Sequence, residues 1–488
     1  MLKKIAITIL GTVGLLGLFL IIRALSLPSP GPTIPITTPD IGLETREKLI
    51  NDLSDAIRIQ TISTQAGTPD QAAFKNFRDL LAQKYPNVHR VMRRETIADH
   101  SLLFHWPAQT SSSQKGVLFM AHMDVVPVEP GTDDTWEHPP YAGILADGYV
   151  WGRGANDNKG QLIALMQAAE RLVEAGFAPT RDFYFAFGHD EELGGTNGAG
   201  EIGKHLRAQG VSLSWTLDEG SVITQGILPG VENPVALIAL AEKGITSLRL
   251  TASAPGGHSS APGADTAASI LARAIVKISD HPYPLRIDES SKNALELVAI
   301  NAPFGQKIAL ANLWLFGPMV ADQLAQDPAI AATMHTTTAP TIIRSGTKTN
   351  VLPQHAEAFI NYRIHPRDSI QSVTERARKL VDDDRVTITS VGGNEPSPIS
   401  TIKPDGYGHL VSATQEIFGD IPIVPSLMIA GTDSRHYYEI TDASYRFAPV
   451  IFGPDDIGRL HGTNERIAVD DLIRMTLYYE ALIKQASK

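Results

Sequence analysis

Cysteine is absent from all 488 residues of the sequence. Disulfide bonds, thiolate metal sites, iron–sulfur clusters and cysteine nucleophiles are therefore excluded. Any metal ion must be held by histidine, aspartate and glutamate side chains. Because a lack of cysteine is compatible with every compartment, the N-terminus has to indicate where the protein resides.

Positive charge is also scarce, with 42 lysines and arginines against 53 aspartates and glutamates and a formal net charge of −11. A nucleic-acid-binding protein would carry a basic stripe, which this sequence lacks. Nucleic acid is therefore excluded as a partner, and small molecules are favoured. The chain is too long for one compact core, so its length predicts two domains with appendages.

The N-terminus carries an apolar run that is free of charge from Ile5 to Ile22 and is preceded by two lysines. Its length is close to the ~20 residues that span a bilayer, and the positive flank belongs in the cytoplasm. A cleavable signal peptide is the alternative, since residues 24–26 resemble a cleavage site. The run exceeds the usual ~7–15 apolar residues of a signal, however, and Arg23 interrupts it. We predict an uncleaved single-pass membrane anchor over residues 1–25, with the body in the periplasm, the lumen or outside the cell.

A proline-rich segment over residues 26–43 follows the predicted anchor. Its prolines are Pro28, Pro30, Pro32, Pro35 and Pro39. Since the segment shows no periodic apolar face, it predicts a semi-rigid, extended spacer. The folded body is therefore expected to stand off the outer membrane surface.

Strands and helices alternate over residues 44–242, which predicts an α/β sheet. Val88 to Met92, Ser101 to Trp106 and Gly116 to Ala121 are predicted strands. Lys159 to Ala175 is predicted as an amphipathic helix that Gly176 stops. In such a sheet, ligands gather at the carboxyl ends of the strands.

A different pattern covers residues 243–393 and predicts a small α+β domain. Ile245 to Ser253 and Ala356 to Ile364 alternate as half-solvated strands, and Ile370 to Val381 is an amphipathic helix. Because residues 394–488 return to the first pattern, the second domain is inserted into the first. Residues 290–339 are mainly apolar and helical, and neither pattern assigns them a role.

Histidine and carboxylate side chains occur at or after predicted strands at five places. They are His122 with Asp124, Asp157, Glu191 with Glu192, Asp218, and His461. Each alone is more often structural, as a strand end, a helix N-cap or a solvated acidic turn. Five such coincidences are much less expected, and nitrogen and oxygen ligands of this kind are what a two-metal hydrolase requires.

The positions of these residues suggest different roles. Asp157 follows a glycine-rich loop at the start of a helix, where a carboxylate can bridge two cations, one on each oxygen. Glu191 and Glu192 are adjacent, so their side chains diverge in an extended segment. One of them can bind a metal while the other acts as a general base on water. In the His122–Asp124 pair, one member can bind metal while the other orients a ring.

Taken in order, these motifs resemble those of the M20 metallopeptidases. The resemblance covers about Glu44 to the C-terminus. It rests on the motifs His122-Met123-Asp124, Gly152-Arg153-Gly154 with Asp157, Glu191-Glu192, Asp218, and His461-Gly462-Thr463-Asn464-Glu465. With Gly431-Thr432-Asp433-Ser434-Arg435-His436 and Tyr445-Arg446-Phe447, the sequence looks most like the carboxypeptidase S and N-acyl amino acid hydrolase branch.

The resemblance implies a zinc-peptidase-like, three-layer catalytic domain and two zinc ions, with cobalt or manganese as alternatives. His122 and Asp218 would hold one ion, Glu192 and His461 the other, and Asp157 would bridge them. Asp124 would orient His122, and Glu191 would take the proton from the attacking water. The family also implies a cis peptide bond between Asp157 and Asn158.

The inserted domain resembles the lid and dimerisation domain of the family. His258, in Pro255-Gly256-Gly257-His258-Ser259-Ser260, would polarise the scissile carbonyl, commonly from a partner subunit, so a homodimer is implied. Asn350 and Arg363 would grip the substrate, Arg363 and the Gly431 loop by holding its carboxylate. Without the resemblance, His258 is a surface turn and Arg363 an exposed strand residue.

We therefore expect a membrane-anchored di-zinc hydrolase of the carboxypeptidase type, which cleaves the amide bond next to a free carboxylate of a small peptide. An N-acyl or N-fatty-acyl amino acid amidohydrolase with the same mechanism is the first alternative. An aminopeptidase is a further possibility, but it would need an acidic side chain to bind the substrate amine in place of Arg363. A tethered protein that binds its ligand without turnover is the alternative of another class, and the presence of Glu191 argues against it.

Overall fold

The computed structural model describes residues 1–29, 31, 35–64, 69–109 and 113–488. Part of the predicted proline-rich spacer, including Pro30 and Pro32, lies outside the described residues. The chain forms two compact units. Unit 1 comprises Met1–Pro30, Ala241–Pro398 and Leu427–Gly431, and unit 2 comprises Gly31–Leu240, Ile399–Ser426 and Thr432–Lys488.

The α-helices of the described residues are distributed over both units. In chain order they are α1 (Leu2–Leu25), α2 (Leu43–Arg58), α3 (Gln71–Lys84), α4 (Pro86–Val91), α5 (Lys159–Glu174), α6 (Ala199–Ala208), α7 (Ala267–Ser279), α8 (Glu289–Asn301), α9 (Phe304–Ala311), α10 (Leu313–Leu324), α11 (Pro328–Met334), α12 (Ile370–Val381), α13 (His409–Phe418) and α14 (Val469–Ala486).

The strands of the described residues are mostly short. In chain order they are β1 (Arg93–Ile97), β2 (Ser101–Trp106), β3 (Gly116–His122), β4 (Ile144–Ala146), β5 (Tyr149–Trp151), β6 (Phe183–Gly188), β7 (Leu213–Asp218), β8 (Ile223–Thr224), β9 (Val235–Glu242), β10 (Gly244–Ser253), β11 (Gly257–His258), β12 (Thr337–Ser345), β13 (Val351–Leu352), β14 (His355–Ile364), β15 (Val386–Asn394), β16 (Ile423–Met428), β17 (Ser444–Arg446), β18 (Ile451–Phe452) and β19 (Arg466–Ala468).

The large sheet of unit 2 has the strand order β1-β2-β6-β3-β7-β17-β9-β8-β18, with β16 beside β9. Its centre is parallel, since β3 pairs in parallel with β6 and β7, and β7 with β17. The carboxyl ends of β3, β6 and β7 therefore meet at one edge of the sheet, as the alternating pattern predicts.

Helices cover both faces of this sheet, which makes unit 2 a three-layer α/β fold. On one face, Phe119 of β3 packs with Trp215 and Tyr479, at ring-centroid distances of 5.7 and 6.2 Å. On the other face, Leu118 joins a second cluster that includes Ile202 of α6. Strands buried on both faces are expected to be apolar throughout, and every residue of β3 is buried.

One predicted strand is wrong. Val88 to Met92 lies mostly in α4, a short helix whose first residue is Pro86, and the strand begins only at Arg93. Proline is favoured at the first position of a helix, because its missing N–H needs no partner there. The short apolar run alone could not distinguish a helical turn from a strand.

Unit 1 is built on the antiparallel sheet β12-β14-β10-β15. Burial alternates along β10 and β14, as the period of the sequence predicts. The buried side chains pack with α7 and α12, for example Leu250 with Leu271 and Val373. Residues 290–339 form α8–α11 and the start of β12, so the helical prediction for most of this segment is confirmed.

Helix α1 belongs to unit 1 and is long and apolar enough to cross a membrane. The candidate span is Lys3–Leu25, with a mean hydropathy of 2.6 in its most apolar window, and that window is not buried within the protein. A signal sequence would satisfy the same criteria.

Candidate active site

The predicted ligands gather at the carboxyl edge of the central strands of unit 2. His122 is the last residue of β3, and Glu191 and Glu192 form a 3₁₀ turn that follows β6. Asp218 is the last residue of β7, and Glu219 follows it. Because these three strands are parallel neighbours, side chains far apart in sequence meet at this edge.

Two groups of donor atoms share Asp157. One group is His122, Asp157 and Glu219, and the other is Asp157, Glu192 and His461. Within each group, the nitrogen and oxygen atoms all lie within 4.8 Å of one another. The Oδ1 atom of Asp157 lies 2.9 Å from His122 Nε2, and its Oδ2 atom lies 3.0 Å from His461 Nε2. Each carboxylate oxygen of Asp157 thus serves a different group, which is the arrangement of a bridging ligand.

The peptide bond between Asp157 and Asn158 is cis, as the family resemblance implies. The side-chain amide of Asn158 donates a hydrogen bond to Oε2 of Glu219. Asp157 therefore belongs to the donor group of His122 and Glu219, and Asn158 contacts that group through Glu219.

Glu465 holds the loop that carries Asp157. Its carboxylate accepts hydrogen bonds from the main-chain N–H groups of Gly154 (3.1 Å), Asn156 (2.9 Å) and Asp157 (3.1 Å), and it pairs with Arg153 Nη1 at 2.6 Å. Both charged side chains are almost completely buried. At Gly154, φ is +90° and a Cβ would lie 2.7 Å from Val125 Cγ1, so this position requires glycine.

Replacing Glu465 by alanine is expected to destabilise the protein by about 3–5 kcal/mol, because it leaves the buried Arg153 guanidinium without its counter-ion. Urea unfolding followed by circular dichroism measures the change. Glu416→Ala, at an exposed position of α13, is the control. A loss below about 1 kcal/mol would contradict a buried ion pair at this loop.

Asp124 fixes the orientation of His122 and also holds the glutamate turn. The Nδ1 atom of His122 donates to the main-chain oxygen of Asp124 at 2.9 Å and lies 3.3 Å from its Oδ1. The Asp124 carboxylate accepts from the N–H groups of Glu191 and Glu192, both at 3.2 Å, and from the Ser63 hydroxyl at 2.7 Å. With Nδ1 occupied in this way, Nε2 faces the donor group, as a metal-binding tautomer requires.

Glu191 lies beside the two donor groups without belonging to either of them. Burial raises the pKa of Glu191 well above its ordinary value, and the neighbouring Asp433 carboxylate raises it further. Its Oε1 atom lies 3.7 Å from Nη2 of Arg435. A largely buried carboxylate next to a metal-binding group is suited to accept a proton.

The site accumulates negative charge, which raises the pKa values of Glu219 and His461. Burial and the charge of Asp157 raise the pKa of Glu219 to about 7. Hydrogen bonds with Asp157 and Glu192 raise the pKa of His461 to about 10. A cation bound between these groups would have to displace the protons that they hold.

The donor set fits divalent metal ions. All its atoms are imidazole nitrogens or carboxylate oxygens, which zinc, cobalt and manganese accept. The Oε1 atom of Glu192 is buried and has no hydrogen-bond partner among the described residues, as expected of an oxygen left for a metal.

The structure adds one residue that the sequence prediction did not name as a ligand. It places Glu219, and not Asp218, in the group with His122 and Asp157. The Oδ1 atom of Asp218 accepts a hydrogen bond from the N–H of Glu219 at 2.9 Å, so this carboxylate supports the turn after β7. The adjacent acids Asp218 and Glu219 are both candidate ligands in the sequence, but the sequence does not indicate which of the two side chains faces the site.

Two more residues of the site were not predicted individually. Asp433 is buried, and burial raises its pKa well above the ordinary value. A Cβ at Gly188, the last residue of β6, would lie 2.6 Å from Asp433 Oδ2, so glycine there makes room for this carboxylate. Arg435 follows two residues later. The motif of residues 431–436 contains both residues, yet its sequence does not show that they approach Glu191.

The remaining predicted site residues belong to unit 1. His258 and Asn350 are neighbours there, since β11 pairs with β13 and the N–H of Ser259 donates to the Asn350 carbonyl at 3.2 Å. Arg363 lies on β14 opposite Ile245, and Gly431 ends the last segment of the unit. His258 and Asn350 are exposed. The functions of these four residues stay predictions.

Comparison with known proteins agrees with this geometry. A carboxypeptidase S-like protein of Dictyostelium discoideum, named "Probable carboxypeptidase S-like 2", is 34% identical over 481 residues, which cover 96% of this chain and 92% of that protein. The "N-fatty-acyl-amino acid synthase/hydrolase PM20D1.1" of Danio rerio is 36% identical over 453 residues, covering 92% and 87% of the two chains.

Among solved structures, the M20 family metallo-carboxypeptidase Sso-CP2 from Sulfolobus solfataricus has the same fold. It superimposes with a TM-score of 0.66 at 17% identity, covering 90% of this chain and 99% of that chain. Residues 118–485 match the description "Peptidase family M20/M25/M40". The predicted resemblance is thus confirmed, and the chain belongs to peptidase family M20/M25/M40, a family of metallopeptidases.

Proposed function

We propose that this protein is a membrane-anchored di-zinc hydrolase that cleaves the amide bond next to a free carboxylate, as a carboxypeptidase does. The observation that carries the proposal is the pair of donor groups that share Asp157, with the largely buried carboxylate of Glu191 beside them. Metal-assisted amide hydrolysis requires a general base next to the bound cations, and this arrangement provides both.

In this proposal, His122, Asp157 and Glu219 would hold one zinc ion, and Asp157, Glu192 and His461 would hold the other. Glu219 takes the place of Asp218 in the proposed set because its Oε1 atom lies 3.4 Å from His122 Nε2, within the donor group. When bound, such ions polarise the scissile carbonyl and lower the pKa of the attacking water.

The side chains of the protein complete the reaction. Glu191 accepts the proton of the attacking water and delivers it to the leaving nitrogen. Asp124 keeps Nε2 of His122 directed at the site. His258 stabilises the negative charge that develops on the carbonyl oxygen, and Arg363 with the Gly431 loop holds the substrate carboxylate. The protein is expected to form a homodimer, in which His258 of one subunit reaches the active site of the other.

The substrate class is a compound with a free carboxylate next to the cleaved amide. Carboxypeptidases and N-fatty-acyl amino acid hydrolases, the two activities named among the relatives, both release an amino acid with such a carboxylate. The two differ only in the acyl side, which is a peptide in one case and a fatty acyl chain in the other. The second activity is our alternative candidate, and a relative 36% identical over most of the chain favours it.

A competition experiment tests the proposal. Dipeptides and N-fatty-acyl amino acids are offered together to the zinc-loaded protein, and mass spectrometry identifies the released acids. Analogues with an amidated carboxyl group serve as controls and are expected to be poor substrates. Binding of both compounds without any hydrolysis would contradict the proposal and favour a tethered binding protein.

The two adjacent acids at the end of β7, Asp218 and Glu219, give a matched pair of variants. Glu219→Gln is expected to lower the zinc content from two ions to one per chain, because a neutral amide replaces a ligand carboxylate. Asp218→Asn keeps a carbonyl oxygen for the N–H of Glu219 and is expected to retain both ions. Metal analysis after gel filtration distinguishes them. Loss of zinc only in Asp218→Asn would restore the assignment made from the sequence.

Metal affinity is expected to fall as the pH falls. Despite its burial, the surrounding carboxylates raise the pKa of His122 well above its ordinary value, so the free site holds protons on His122, on Glu219, with a pKa of about 7, and on His461, with a pKa of about 10. Binding releases these protons, so each one weakens binding about tenfold per pH unit below its pKa. Calorimetry in two buffers of different ionisation enthalpy counts the protons released. A pH-independent affinity between pH 6 and 8 would exclude this linkage.

A further inference from the structure

Unit 1 presents an apolar surface on α9 and α10, formed by Phe304, Trp314, Leu315 and Met319. These side chains are 51%, 58%, 42% and 55% exposed. No charged residue occurs between Lys307 and Asp322. An uncharged stretch with several large exposed apolar side chains is uncommon on a surface that faces only water.

This surface, which we call the α9–α10 surface, adjoins the apolar N-terminal helix. Helix α1 packs against α9 within unit 1. The fully buried Asn312 donates hydrogen bonds to the carbonyl oxygens of Leu20 (3.1 Å) and Ile308 (2.8 Å). The Trp314 ring meets Phe19 edge to face, with centroids 6.3 Å apart.

The contact face of α1 is narrow. Gly17, Leu20 and Ala24 are less exposed than most of the helix, and they follow each other at the helical spacing of three and four. Ala24 is fully buried at this face, and the buried Asn312 adds a polar contact, as polar side chains do in helix pairs within membranes. The other faces of α1 remain exposed, so they are available to lipid.

The position of this contact along α1 determines how deep the α9–α10 surface would lie in a bilayer that α1 spans. Leu20 lies five residues before the end of the helix at Leu25, which corresponds to about 8 Å at the rise of an α-helix. Elements that lie in the membrane interface are buried to about 5–10 Å, and tryptophan is enriched at this level. If α1 spans the bilayer, the α9–α10 surface is held at the headgroup boundary of the outer leaflet.

We propose that the α9–α10 surface docks on the lipid bilayer that α1 crosses. The inference rests on the proposed membrane anchor. Helix α1 then supplies the attachment, and α9 and α10 seat unit 1 in the interface. Because the stretch is uncharged, docking requires no anionic lipid.

Tryptophan fluorescence tests this proposal on the full chain. Trp314 is the exposed tryptophan, whereas Trp106, Trp136, Trp151 and Trp215 are at most 7% exposed. The protein is reconstituted into vesicles of phosphatidylcholine with or without brominated acyl chains, which quench tryptophan on contact. Bromine is expected to lower the emission of the wild-type protein, and Trp314→Phe is expected to lose this quenching.

A second pair of variants tests the α9–α10 surface while Trp314, whose fluorescence is measured, stays unchanged. Met319→Glu places a charge in the interface and is expected to reduce bromine quenching. Ile457→Glu, at a position of unit 2 with the same 55% exposure, is expected to leave quenching unchanged.

Flotation of the vesicles separates failure of the anchor from failure of docking. Protein that floats but shows no bromine quenching would overturn the docking proposal and leave the anchor intact. Protein that does not float would overturn both, while hydrolysis assays report on the enzyme independently. Protection of Trp314 from an aqueous quencher without bromine quenching, together with dimers in sedimentation, would identify a second copy as the occupant and overturn the proposal.

Discussion

Glu191→Gln is expected to lower kcat/KM by about 10²–10⁴-fold while both metal ions stay bound. Glutamine has nearly the same shape, but it cannot accept a proton from water, and a positioned general base contributes about this factor. Glu191 belongs to neither donor group, so its replacement removes no ligand. Its main-chain N–H, which donates to Asp124, is also retained.

The measurement is steady-state hydrolysis of a dipeptide and an N-acyl amino acid, with metal content determined on the same sample. Glu201, a half-exposed residue of α6 that pairs with Lys204, provides the matched control, and Glu201→Gln is expected to behave like the wild type. Full activity of Glu191→Gln with two metals bound would remove Glu191 from the mechanism. A loss of activity that follows a loss of metal would instead make Glu191 a ligand.

Asp157→Asn is expected to have the largest effect on metal binding, because both donor groups lose their shared carboxylate. Each oxygen of Asp157 faces a different histidine at about the same distance, 2.9 Å for His122 and 3.0 Å for His461. Asparagine keeps one oxygen but loses the negative charge that offsets two cations. Metal content is expected to fall from two ions to less than one, and kcat/KM by more than the ~100-fold that outer-shell changes cost.

Asp147→Asn is the control for this variant. Asp147 is exposed and has a φ of 50°, a left-handed conformation that asparagine also tolerates. Metal analysis and circular dichroism of both variants separate loss of metal from loss of fold. Retention of two ions by Asp157→Asn would show that the carboxylate is not a bridge.

Several features of the site follow from the sequence because they depend on local order. A buried strand places its last residue at the sheet edge, so His122 could be located from the apolar run before it. Asp157 follows a glycine-rich loop and precedes a helix, which also sets its position. The structure brings His122, Asp157, Glu192 and His461 into the two donor groups.

Other features depend on contacts between distant segments. Asp218 and Glu219 are equally plausible in the sequence, and the turn after β7 decides which carboxylate faces the site. Asp433 and Arg435 reach Glu191 from a segment more than 200 residues away. Sequence spacing carries no information about such approaches.

By itself, the sequence determined the α/β alternation of unit 2, the half-solvated strands of unit 1, the apolar N-terminal helix and the family. These features follow from periodicity and from short motifs, since burial imposes a period of two on strands and 3.6 on helices. The tertiary structure alone decided that Glu219 joins His122, that Glu465 holds the Asp157 loop, and that α1 packs against α9. Each of these depends on side-chain direction and on packing between remote segments, which no local pattern encodes.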